Sequence, residues 1–114
     1  MFVVMHDLST LPGRLKWARF AARNADEKEP SARSMSELAG LSVAMWALLE
    51  SGDRTSPAAS TILAIASAIG VSAEWLFAGE GAAPTEADVH AAVERTRAAK
   101  HTASDLSGPA AKAS

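Results

Sequence analysis

The 114-residue chain, 11.8 kDa in mass, has room for one hydrophobic core with tails and not for two independent domains. With 48% hydrophobic and 21% charged residues it is expected to fold, and its lack of cysteine excludes disulfides, thiolate metal sites and cysteine nucleophiles, as suits a reducing cytoplasm. The formal charge is −2, and residues 11–81 carry seven basic groups (Arg14, Lys16, Arg19, Arg23, Lys28, Arg33 and Arg54) against eight acidic ones, so any positive field for a nucleic acid has to be local.

Nearly every periodic segment has a helical period, and only the short piece Phe2 to Met5 alternates with period two. That piece is too short for the apolar core of a signal peptide and has no basic leader. Helix 1 is expected from about Pro12 to about Ala25, with Leu11, Leu15, Ala18 and Ala22 on one face and Arg14, Lys16, Arg19 and Arg23 on the rest as a solvated or DNA-facing stripe. Trp17 lies off that stripe, against the tail or a partner. Asp26 to Pro30 is a charged break, after which Ser31 is a natural N-cap for helix 2, Ala32 to Ala39, with Met35 and Leu38 inward and Gly40 as the stop. Ser42 then caps a third helix, Val43 to about Ser51, whose close link to helix 2 demands a steep crossing.

The 19 residues from Thr55 to Ala73 carry no charge and are long enough to raise a membrane span. Pro57, Gly70 and several hydroxyl residues interrupt them, and Ile62, Ile65, Ala66 and Ile69 recur as the stripe of a water-facing amphipathic helix, Ala59 to Ile69. Ser72 caps a fifth helix, Ala73 to Ala78, with Trp75 and Leu76 inward. Beyond Gly81, Thr85 to Asp88 resembles a capping box opening a helix to about His101, with a thin apolar face of Val89, Ala92 and Val93. Residues 104–114, rich in Ser, Ala and Gly, are expected to be unstructured. The expected organisation is an N-terminal extension 1–10, a domain 11–81, a helical extension 82–103 and a disordered tail 104–114. The extension could serve as a dimerisation helix, a docking segment or a solubilising appendage.

Gly40-Leu41-Ser42, Trp46, Leu49, Glu50, Gly52, Pro57, Thr61, Ile65-Ala66, Ile69-Gly70-Val71-Ser72 and Trp75-Leu76, with Arg14-Leu15 ahead of them, resemble the phage repressor and Cro type helix-turn-helix family over roughly Leu11 to Gly81. The resemblance implies an all-α, compact five-helix domain with an extra C-terminal helix, and Leu15, Met35, Leu38, Trp46, Leu49, Ile62, Ile65, Ile69 and Trp75 are its expected core anchors. It also implies a cytoplasmic transcriptional regulator that binds double-stranded DNA as a homodimer, the third helix lying in the major groove.

Carried over residue by residue, that implication places Ser42, Val43, Ala44, Ala47 and Leu48 at the recognition surface. Ser31, Ala32, Arg33 and Arg54 fall where the family holds phosphates. Val43, Ala44, Ala47 and Leu48 have no side-chain hydrogen-bonding groups, and Ala44, Ala47 and Leu48 are expected to point outward. Such a face can touch thymine methyl groups but cannot make bidentate base contacts, worth about 1–3 kcal/mol each. The alternative is a helix-turn-helix that has lost base readout and uses this apolar helix against another regulatory protein or its own copy.

No enzymatic reading emerges: the chain has no Gly-rich phosphate loop, His-Glu-x-x-His pair or nucleophile elbow. His90 and His101 stand about 16 Å apart on one helix, and Glu86, His90 and Glu94 form a solvated stripe. No metal, cofactor or membrane partner is expected.

Overall fold

The structure, a computed structural model, describes residues 6–24 and 26–113, with side chains described through residue 100. The expected strand-like piece Phe2 to Met5 lies outside the described residues. Six helices follow one another: α1 (Leu11–Ala21), α2 (Ala32–Leu38), α3 (Met45–Ser51), α4 (Ala59–Ile69), α5 (Ala73–Ala78) and α6 (Glu86–Ala113). The fold is all-α, as expected.

Local chemistry sets the boundaries. Thr10 caps α1 by accepting the Gly13 N–H at 3.1 Å. The helix closes at Ala21, short of the expected Ala25, because the Asn24 side chain draws the chain into a tight loop: its Oδ1 accepts from the amides of Asp26 and Lys28 at 2.9 and 3.0 Å. Ser31 caps α2 through the Ser34 N–H at 3.0 Å, and Gly40, at φ 73°, turns the chain so that the Leu41 N–H reaches back to the Ser36 carbonyl at 2.9 Å. That closure begins at Ala39, so α2 ends one residue earlier than expected. Ser72 caps α5 through the Trp75 N–H at 3.1 Å. Thr85 and Asp88 form the expected reciprocal box, the Asp88 N–H donating to Thr85 Oγ1 at 3.1 Å and the Thr85 N–H to Asp88 Oδ2 at 3.4 Å.

All nine expected core anchors are buried, in one cluster that also takes in Ala18, Ala22, Ala66 and Leu76. Val89 and Val93 belong to that same core, and Ala92 is buried beside them. The thin apolar face of α6 is therefore used inside the molecule, against α4 and α1, and is not free to form a dimer seam. Gly70 shows how close the approach is, since a Cβ built there would lie 2.3 Å from the Ala92 Cβ. Thr96 adds a polar tie, its hydroxyl donating toward the Ala68 carbonyl at 2.8 Å. The backbone of α6 continues past the expected end near His101, no glycine or proline interrupting the run before Gly108. Side chains from residue 101 onward lie outside the described residues, while the backbone of 104–113, expected as part of an unstructured tail, belongs to α6. Among the described residues no helix is long and apolar enough to cross a membrane.

Trp17 packs edge-on against Trp75, with ring centroids 5.6 Å apart, so it completes the α1–α5 contact.

Candidate nucleic-acid interface

The surface expected to meet DNA is built by α2, the turn after it, and α3. Helix α3 begins two residues later than expected, at Met45, and Ser42 does not cap it. The Ala44 backbone, at φ −95° and ψ −7°, still belongs to the turn, and the Ser42 carbonyl accepts the Met45 N–H at 3.1 Å. A free amide of the first turn is satisfied from another helix: Ser36 Oγ, fully buried, accepts the Trp46 N–H at 2.9 Å. Ser36 thus fixes where α3 starts and at what angle it leaves α2. In the sequence, Ser36 is only a serine next to the inward-facing Met35, which does not announce this contact.

Behind α3, Glu50 is buried and receives two hydrogen bonds from Arg19, Nε to Oε2 at 2.8 Å and Nη2 to Oε1 at 2.9 Å. This forked pair joins α1 to α3 and, through its hydrogen bonds to the carboxylate, raises the Arg19 pKa above its ordinary value. It corrects one expectation, since Arg19 is not part of a free basic stripe, and it leaves the Glu50 charge matched.

Arg14 departs further from the expected solvated face, being only 3% exposed. Its guanidinium donates to the carbonyls of Leu76 at 2.7 Å, Phe77 at 2.8 Å and Leu8 at 2.8 Å, closing the C-terminal end of α5 and pinning the segment before α1. Burial pushes its pKa down from the ordinary arginine value, with nearby Asp7 acting in the opposite sense. Arg23 is occupied as well, paired with Glu27 at 2.7 Å and stacked over Phe20 at 4.1 Å. Of the four helix-1 cations only Lys16 has neither an ion-pair partner nor a side-chain hydrogen bond among the described residues.

On the outer side, Val43 is 53% exposed, and Ala44 and Ala47 are exposed beside it. Leu48, expected to point outward, is half-buried. Ala47 shares a shallow cleft of about 380 Å³ with Lys16, Ala32 and Ser51, so α1, α2 and α3 each contribute to one surface. Of the residues expected to contact phosphate, Ala32 lines this cleft, and Lys16 stands beside it, although its position within α1 alone did not single it out. Ser31 and Arg33 stand at the start of α2, where Arg33 makes an exposed contact with Glu37 at 3.3 Å. Arg54 follows α3, its side chain exposed and its N–H donating to the Leu48 carbonyl at 3.1 Å. The nearby Asp53 carboxylate accepts from the Ser51 hydroxyl at 2.8 Å.

Comparisons with protein-family models, with characterised proteins and with solved structures found no match to this chain.

Proposed function

We propose that the chain is a cytoplasmic DNA-binding transcriptional regulator of the phage repressor and Cro type, acting as a dimer and holding DNA chiefly through its backbone. The observation that carries this reading is the rigid presentation of α3. The Ser36–Trp46 hydrogen bond in front and the Arg19–Glu50 pair behind hold it against the domain, leaving Val43, Ala44 and Ala47 outward. Lys16, Arg33, Arg54 and the capped start of α2 supply donors for phosphates around that ridge. The ridge itself offers methyl groups alone, so sequence preference would come from thymine methyls and from DNA shape.

A second reading rests on the same apolar face: with no side-chain hydrogen-bonding group on Val43, Ala44 or Ala47, it also suits another regulatory protein. Fluorescence anisotropy with random-sequence duplex at about 50 and 200 mM salt separates the two. Under the DNA reading the protein binds, more weakly at the higher salt, and Lys16→Ala and Arg54→Ala weaken binding more than Val43→Ser does. A folded protein that fails to bind at the lower salt would overturn the DNA reading and leave the protein-partner one.

A further inference from the structure

We propose that the groove between α4 and α5 docks an apolar segment of another protein that is flanked by lysine or arginine. The groove, about 420 Å³ in volume, is floored by Ile62 and Ala73 and walled by Leu63 and Phe77. Leu63 is 59% and Phe77 55% exposed, and they are two of the four large apolar side chains exposed among the described residues. A lone exposed leucine is ordinary; two large apolar residues converging on one concave apolar surface mark a binding surface. None of the lining residues belongs to α2 or α3, so this surface is separate from the one assigned to DNA.

The groove is also preformed. Helix α4 spends Ile62, Ile65 and Ile69 on the core, which leaves Leu63 outward. The Arg14 guanidinium grips the carbonyls of Leu76 and Phe77, so α5 cannot roll to bury Phe77 without breaking buried hydrogen bonds. A site whose walls are held in place loses little conformational freedom on binding.

Charge selects the occupant. Glu74 and Glu80 stand on the rim, neither has an ion-pair partner among the described residues, and no basic side chain lines the groove. An acidic rim repels a nucleic acid. It also disfavours a second copy, because an isologous contact brings the same patch together and would crowd both pairs of carboxylates into one interface. An apolar segment with basic flanks satisfies the floor and the rim together.

The test uses two synthetic amphipathic peptides of about 14 residues with the same leucine pattern, one carrying lysine and one glutamate on the polar face. Binding to the full chain is followed by amide shifts in two-dimensional NMR. The expected result is saturable shifts centred on Leu63, Glu74 and Phe77, with the lysine peptide bound about tenfold more tightly than the glutamate peptide at low salt. Glu74→Lys with Glu80→Lys should reverse that preference, and Leu63→Ala with Phe77→Ala, which leave the charge unchanged, should weaken lysine-peptide binding about tenfold. All four side chains are at the surface, so the variants keep the core. Equal affinity for both peptides, shifts centred elsewhere, no saturable binding, or self-association that Phe77→Ala abolishes would each overturn the proposal.

Discussion

Ser36 Oγ, on α2, accepts the backbone N–H of Trp46, on α3, at 2.9 Å, in a fully buried contact between residues ten apart in the chain. This bond does for α3 what a capping side chain normally does from just ahead of a helix, and it ties the helix start to the neighbouring element. Ser36→Ala would leave the Trp46 amide buried without a partner, at a cost of about 1–3 kcal/mol. Urea unfolding would show a lower midpoint, and hydrogen exchange at the Trp46 amide would quicken more than at Ile65.

Arg14 makes the most consequential polar contacts in the core. Arg14→Met removes three hydrogen bonds to the carbonyls of Leu8, Leu76 and Phe77, and should destabilise the fold by about 2–4 kcal/mol. Arg14→Lys should recover little of it, because an ammonium cannot match the planar fork that reaches three separate carbonyls. Thermal unfolding of both variants checks this.

Gly70 has φ 71° and sits against α6. Gly70→Ala meets two costs: a left-handed backbone that disfavours a side chain, and a methyl 2.3 Å from the Ala92 Cβ. The combined loss should be about 2–4 kcal/mol. Ala92→Gly in the Gly70→Ala background should restore the part due to the clash and leave the backbone part, which a double-mutant cycle separates.

Under the proposed DNA reading, the salt response of binding follows from how few cations stand around α3. With Arg14 and Arg19 engaged inside the molecule and Arg23 paired with Glu27, the cations placed around α3 are Lys16, Arg54 and Arg33, the last in an exposed pair with Glu37 that a phosphate can replace. Three phosphate contacts correspond to a slope of log K against log salt of about −3 per protomer. Anisotropy titrations across a salt series measure it, and Arg54→Ala should make the slope shallower by about one.

Asp7 offers a check on pH dependence. Its carboxylate accepts hydrogen bonds from the Ser9 hydroxyl and, at 3.0 Å, from the Ser9 N–H, which hold its pKa below the ordinary 3.8. Because the folded value is the lower one, the stabilising contribution is fully present above 3.8 and disappears as the pH falls through the folded value. NMR titration of the Asp7 carboxyl carbon should give a midpoint below 3.8, and Ser9→Ala should move it upward.

The helices and their inward faces were legible in the order of the residues. Apolar spacing marked Leu15, Met35, Leu38, Ile62, Ile65, Ile69 and Trp75, the family resemblance added Trp46 and Leu49, and each is buried, because a helix can satisfy its apolar stripe only by turning it to the core. Ser31, Ser72 and the Thr85–Asp88 box act within one turn of the chain, so their capping roles could be read where they stand. The fate of the charged residues could not be read in that way. Arg14 and Arg19 follow the spacing of a solvated stripe, and only the arrival of α5 and α3 brings carbonyls and a buried carboxylate within their reach. Likewise, the three small apolar residues of α6 look too few for an interface until α4 and α1 supply the opposite wall. Short-range periodicity therefore determined which helices form and which face turns inward. The partners of Arg14, Arg19, Ser36 and Val93 were decided by tertiary packing, since hydrogen bonds and close contacts between distant segments depend on where whole helices meet.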